Sequence, residues 1–129
     1  MPKTRDSACP CGSGKAYAEC CGPIHAGRAR ASTAEQLMRS RFSAFAVGDV
    51  GYLLRSWHPG TRPARLSLDH ETSWTRLEIL GTADGGPFHT EGTVEFRAYY
   101  RESDDAEQCL HENSSFVRED GTWVYLSAL

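Results

Sequence analysis

Thr90-Glu91-Gly92-Thr93-Val94-Glu95-Phe96-Arg97-Ala98-Tyr99-Tyr100-Arg101 alternates along most of its length. In an extended chain successive side chains point to opposite faces. Val94, Phe96, Ala98 and Tyr100 therefore share one side, and Glu91, Thr93, Glu95, Arg97 and Tyr99 the other. One apolar and one polar face at a period of two predicts a half-buried β-strand over 90–101. The same texture continues outward from it and predicts strands at Thr75–Leu80, Cys109–Arg118 and Trp123–Ser127. Asp84-Gly85-Gly86-Pro87, Ser103-Asp104-Asp105 and Glu119-Asp120-Gly121 supply the turns between them. The last, directly before Thr122-Trp123-Val124-Tyr125, is a hairpin signal. Four strands joined this closely read as an antiparallel meander.

Upstream the period changes to 3.6. Ser32-Thr33-Ala34-Glu35 fits a capping box, with Ser32 as N-cap and Glu35 reaching back. The helix behind it places Ala34, Leu37, Met38, Phe42, Phe45 and Ala46 on one apolar stripe, with Arg39 and Arg41 away from its centre. Gly48 stops it. Asp49 caps a second helix with Val50, Leu53, Leu54 and Trp57 at i, i+3, i+4, i+7, ended by Pro59-Gly60. Phe42, Phe45 and Trp57 are read as core, and 62–73 as a short strand or a helical turn. Helices followed by a meander define an α+β fold, with the helices packed on one face of a curved antiparallel sheet.

The 129 residues suffice for one such domain, residues 32–129, with an appendage over 1–25 and a connector at 26–31. No apolar run is long enough to span a membrane. Met1–Asp6 lead into cysteines rather than an apolar segment, so a cytoplasmic location is expected.

Four of the five cysteines lie within the appendage, in Cys9-Pro10-Cys11-Gly12-Ser13-Gly14-Lys15-Ala16-Tyr17-Ala18-Glu19-Cys20-Cys21-Gly22. In a reducing compartment four clustered thiols are metal ligands rather than disulfides. CxC and CC pairs are each poorly placed to bridge internally. A closed four-thiolate site is structural zinc chemistry and leaves no position for a reacting water. Gly12-Ser13-Gly14-Lys15 does not make a phosphate loop, because Cys9 and Ala16 stand where Gly and Ser or Thr are required.

This stretch resembles the SEC-C motif, a short zinc-binding element also found at the C-terminus of the preprotein translocase ATPase. The resemblance implies Cys9, Cys11, Cys20 and Cys21 as ligands, with His25 in reserve should adjacent Cys20 and Cys21 not both reach the metal. Ala16 replaces a basic residue usual in the motif. The remainder resembles a nuclear-transport-factor-2-like fold, the cystatin-like cone. Leu37–Phe45, Tyr52–Pro59, Leu110–Phe116 and Gly121–Tyr125 are similar to the bacterial YchJ family, in which a SEC-C knuckle precedes such a domain. The resemblance implies fold and metal but no activity.

Charge bears on partners. Residues 1–45 hold seven Lys/Arg and three Asp/Glu (+4), and 46–129 seven and fourteen (−7), summing to −3. A basic head on an acidic body suits docking to an acidic protein or ribonucleoprotein through Lys15, Arg28 and Arg30. Sequence-specific DNA reading is not expected of an acidic chain without a recognition helix.

On strand 109–118, Glu112 alternates onto the side of Leu110, Ser114 and Phe116. A carboxylate there needs a partner or a wet cavity. Either it pairs with Arg39 or Arg41 and locks helix to sheet, or it lines a pocket with Trp57, Trp74, Tyr125 and neighbouring His58. In the second case it is a candidate general base for a dehydratase, isomerase or hydrolase, or the pocket holds a small molecule. His111 points away from Glu112. His58, His70 and His89 are expected at the surface, and Cys109 as a buried, inert thiol. The functional expectation is a binding or adaptor module with a zinc knuckle. The alternatives are a small enzyme, or zinc that only staples the N-terminus. Homodimerisation through the outer sheet face, at Glu91, Glu95, Arg97 and Tyr99, is a further expectation.

Overall fold

The computed structural model describes residues 7–129. Met1–Asp6, including the cations Lys3 and Arg5 counted in the basic head, lies outside the described residues. A single-turn 3-10 helix (Tyr17–Glu19) and the short helix α1 (Cys21–His25) follow the first cysteines. Helices α2 (Ala34–Val47) and α3 (Val50–Arg55) come next, then strands β1 (Thr72–Asp84), β2 (Glu91–Glu102), β3 (Gln108–Glu119) and β4 (Thr122–Ala128). The strands form one antiparallel sheet in the order β1-β2-β3-β4. The α+β architecture is as the patterning predicts.

The alternation on β2 and β3 sets the core. Val94, Phe96, Ala98, Ser114 and Phe116 are buried, together with Trp123 of β4. Against them α2 lays Ala34, Leu37, Met38 and Phe42. Register shifts at Trp74/Arg76 and Ile79/Gly81 on β1, and at Ser115/Phe116 on β3, curve the sheet around this helix. At the β1–β2 turn, Gly85 has φ +74° and a Cβ on it would stand 2.8 Å from the Ala34 Cβ, so only glycine fits between turn and helix. The outer face is charged and internally paired. Arg97 meets Glu78, Arg76 lies over the Tyr99 ring, and His111 meets Glu95 at 2.7 Å.

Several local expectations shift. The N-cap of α2 is Thr33, not Ser32: its side chain accepts from Gln36 N, and Gln36 Oε1 accepts from Ser32 N at 2.7 Å. The box has moved one residue along. Glu35 is thereby free to pair with Arg39 at 3.1 Å. Asp49 and Gly48 cap as expected, Gly48 with φ 80°. Residues 62–71 form neither strand nor helical turn but run as an irregular segment, and Thr72 and Ser73 belong to β1. Its Leu66 and Leu68 pack beside the α3 cluster. Cys109 is exposed, because its position alternates onto the outer face of β3. No helix among the described residues is long and apolar enough to cross a membrane.

Helix α2 is buried on a second side as well. Ser40, Ser43 and Ala44, all small, let other elements approach its backbone closely. Ile24 of α1 and Tyr52 and Leu53 of α3 cluster with Ala44. After α3 the chain runs beside β4. His58 N donates to Tyr125 O and Tyr125 N to Ser56 O, both at 2.8 Å, and Thr61 Oγ1 donates to Leu126 O at 2.7 Å. This edge pairing fixes Trp57 beside Tyr125.

Candidate metal centre and ligand cavity

The knuckle is built by backbone first. Cys9 N donates to Lys15 O at 2.8 Å and Gly12 N to Cys9 O at 3.1 Å, closing a tight loop in which Gly12 and Gly14 have φ 80° and 86°. Tyr17 N returns to Ser7 O at 2.8 Å. The 3-10 turn then delivers Cys20 and the first residue of α1, Cys21. The sulfurs of Cys9, Cys11, Cys20 and Cys21 all lie within 4.8 Å of one another. Cys11 and Cys20 Sγ stand 3.6 Å apart, and Cys20 and Cys21 Sγ 4.0 Å. Tetrahedral thiolates at about 2.3 Å from zinc would stand about 3.8 Å from each other. Adjacent Cys20 and Cys21 are therefore both placed to reach a shared metal ion.

Without a cation the cluster distributes charge unevenly. Donation from Cys11, then from Cys21, holds the Cys9 thiol far below its usual range. The Cys11 and Cys9 neighbours, with burial, push Cys21 far above it. Four sulfur donors at these distances are compatible with a metal ion.

His25 is not available as a ligand. Its Nδ1 lies 2.6 Å from the Tyr17 hydroxyl and its Nε2 2.8 Å from Ser40 O. A carbonyl accepts only, so Nε2 carries a proton and donates to it. The buried ring, 4.7 Å from that of Tyr52, fastens α1 to α2. Arg55 donates to the His25 carbonyl. Two further contacts tie the cysteine loop to α2: Arg39 Nη1 donates to Cys11 O at 2.8 Å, and Cys9 Sγ meets Ser43 Oγ at 3.4 Å. Lys15, Arg28 and Arg30 are exposed and form no ion pair among the described residues.

On the other side of α2, between helix and sheet, lies a cavity of about 200 Å³. Its wall brings together Trp57, Trp74, Glu112 and Tyr125, along with Arg41 and Phe96. His58 is not among the lining residues; it pairs instead with Glu119 at 3.3 Å. Leu110 is exposed and Glu112 half-buried, so the cavity opens at this end of β3. Trp74 packs on Phe42, Phe45 and Tyr100, and Trp57 meets Tyr125 edge-on at 5.2 Å.

Arg41 departs from expectation. It is only 4% exposed. Its Nη1 donates to Leu53 O at 2.8 Å and Ser56 Oγ at 2.7 Å, and its guanidinium lies 5.0 Å from the Trp57 ring and 4.8 Å from that of Tyr125. Burial pulls its pKa down to about 10, which still leaves a cation at neutral pH. Glu112 forms no ion pair with Arg41, Arg39 or any other described residue. Arg39 is occupied by Glu35 and the knuckle, while Arg41 is anchored to the end of α3. The Tyr125 hydroxyl is pushed up by burial and next by the Glu112 carboxylate, against the opposing pull of Arg41. Position 41 lies three residues after Met38 and four before Phe45, on the edge of the apolar stripe. That spacing was the available sign of its burial.

Known proteins match both parts. Residues 7–23 match the model of the SEC-C motif, and residues 33–128 that of the YchJ middle NTF2-like domain. A UPF0225 protein of Streptomyces coelicolor is 61% identical over 117 residues, covering 91% of this chain and 90% of its own. One from Corynebacterium efficiens is 52% identical over 125 residues, 97% of this chain and 95% of its own. The solution structure of a SEC-C motif containing protein from Rhodopseudomonas palustris superposes with TM-score 0.81 at 36% identity, over 94% of this chain and 96% of that one. A crystal structure of a SEC-C motif containing protein from Psychrobacter arcticus gives 0.78 at 29%, over 95% and 82%.

Proposed function

The chain belongs to the UPF0225 family of YchJ-like proteins, and from that premise we propose that it is a non-enzymatic binding module, stapled by structural zinc, whose cone holds a small molecule. The observation that carries this reading is Arg41: a buried cation in a cavity wall that forms no ion pair with any described residue. Such a charge is costly to keep, and a fold that only needed packing would do as well with an apolar side chain. The metal fits the same reading. Four thiolates close the coordination sphere, so zinc cross-links the cysteine loop to α1 and offers no site for substrate water.

The enzyme alternative rests on Glu112 as general base. It gains less support, because neither histidine nor another carboxylate shares the cavity with it. The reading is tested by metal analysis and by thermal-shift screening of a small-fragment collection. One zinc per chain and fragment-induced shifts that vanish in Ala98→Phe, which fills the cavity, are the expected results. Absence of any such shift in the metal-loaded protein would refute it, and a turnover abolished by Glu112→Gln would replace it with the enzyme.

A second reading is favoured by three exposed cations that pair with no described residue. Lys15, Arg28 and Arg30 present positive charge from the knuckle and the segment after it, which suits an acidic protein or ribonucleoprotein surface. Purified ribosomes are the probe. Salt-sensitive co-sedimentation lost in Lys15→Glu/Arg28→Glu/Arg30→Glu would support docking, and equal co-sedimentation of that variant would overturn it.

A further inference from the structure

We propose that the cavity between α2 and the sheet is a site for a small aromatic monocarboxylate bearing a hydroxyl or amino group, its carboxylate received by Arg41 and Trp57 and its donor group by Glu112. This rests on the small-molecule reading above and specifies the ligand.

Two independent donors point to an anion. Arg41 spends Nη1 on Leu53 O and Ser56 Oγ. Its Nε and Nη2 form no hydrogen bond among the described residues, and Arg41 lines the cavity. The Trp57 side chain lines it too, and its Nε1–H is sealed from solvent with no hydrogen-bond partner. A buried donor without an acceptor is disfavoured unless a ligand or water completes it. The open edge of an arginine fork is suited to a planar carboxylate, and the Trp57 ring stands 5.0 Å from that guanidinium. The guanidinium is already held by two aromatic faces and by the end of α3, so little ordering is required on binding.

Size and wall chemistry narrow the class. An apolar cavity of about 150 Å³ accommodates a benzene ring, and this one measures about 200 Å³, room for a ring and small substituents. Trp74 and Phe96 provide apolar walls. A dicarboxylate or phosphate does not fit, because the second negative group would face Glu112. That carboxylate is unpaired among the described residues and asks for a donor. A hydroxyl or amino group on the ring supplies it.

The test uses the full-length, metal-loaded protein and its intrinsic tryptophan fluorescence, since two of the three tryptophans stand in the cavity wall. Hydroxybenzoates and aminobenzoates, benzoate, benzamide and phenol are titrated at neutral pH. The proposal expects the substituted benzoates to bind at least tenfold tighter than benzamide or phenol. It expects Arg41→Met to weaken them at least tenfold while leaving phenol unchanged. Trp57→Phe, which removes the N–H together with part of the ring, is expected to weaken them severalfold more than it weakens phenol, a check that survives if Arg41→Met fails to fold. Glu112→Gln is expected to abolish the preference for substituted over plain benzoate. Equal binding of benzoate and benzamide to the wild type would overturn the carboxylate assignment yet leave a small-molecule cavity. Binding of none of the five up to millimolar concentration overturns the carboxylate assignment, while fragment shifts abolished by Ala98→Phe would still uphold the small-molecule reading.

Discussion

Arg41→Met separates a residue kept for stability from one kept for a ligand. The fall of its pKa from 12.5 to about 10 corresponds to a cost of about 3 kcal/mol for holding the cation in the fold. A base whose folded pKa is depressed carries this cost in full at every pH below about 10, and the cost is relieved only as pH rises from about 10 to 12.5. At neutral pH it is therefore wholly present. Against it stand the two hydrogen bonds to Leu53 O and Ser56 Oγ, each worth about 1 to 1.5 kcal/mol net. The faces of Trp57 and Tyr125 add about 0.5 to 1 kcal/mol each. The sums nearly cancel. Methionine has similar length, keeps the stem packing and removes both the cost and the return. The expected outcome is a change in unfolding free energy below about 1.5 kcal/mol, measured by urea unfolding at pH 7 on protein of verified metal content. A loss of 4 kcal/mol or more, with zinc retained, would show that the guanidinium is a structural keystone and would remove the main reason for assigning it a ligand.

Other perturbations test the knuckle, the core and the caps. In metal-loaded native protein, exposed Cys109 is expected to react at once with a thiol reagent and the other four cysteines only after chelation, giving one equivalent and then five. Chelation should also lower the melting temperature, because a metal held by these four sulfurs would bind only the folded loop. Gly92→Ala places a Cβ 2.4 Å from the Gly85 Cα and is expected to cost about 2 to 3 kcal/mol in denaturant unfolding by overpacking. Phe116→Ala, at a fully buried position facing α2, should cost about 3 to 5 kcal/mol by the same assay. Thr33→Ala should cost about 1 kcal/mol, and Ser32→Ala clearly less, which distinguishes the observed cap from the one a simple capping-box pattern suggests.

What was legible in the sequence follows from which interactions are local. The alternation of 90–101 and the Asp120-Gly121 turn are dictated by backbone geometry and nearest neighbours, and β2, β3 and β4 appear within a residue or two of expectation. Cysteine spacing is equally local, since a loop of this length brings its own ends together. The cap of α2 is not decided by the pattern, because two adjacent hydroxyls both fit it and the choice of Thr33 depends on Gln36 rather than Glu35. Cys109 lies outside the core because its alternation with Leu110 puts it on the outer face. The anchoring of Arg41 to α3 is not legible for a deeper reason. A helical wheel scores arginine as surface, whereas its acceptors come from Leu53 and Ser56, which only the packing of α3 supplies.

Helix α2 then explains why a four-cysteine loop and a cavity belong to one chain. Its small residues face the knuckle, where Ser43 meets Cys9 and the Ser40 carbonyl receives His25. One turn away, Arg39 reaches the Cys11 carbonyl. The opposite flank carries Met38, Arg41 and Phe45 into the cavity wall. Tyr52 joins the two sides, its hydroxyl 2.6 Å from Ser40 Oγ and its carbonyl accepting from Ser56 Oγ, which in turn receives Arg41. The chain of contacts from the Cys21–His25 helix to the guanidinium is continuous: His25 to Ser40, Ser40 to Tyr52, Tyr52 to Ser56, Ser56 to Arg41. A closed metal site at one end of such a chain would have no chemistry of its own to perform. Its physical consequence would be to hold α1 against α2, and through these hydrogen bonds to keep the buried Arg41 cation in the cavity wall.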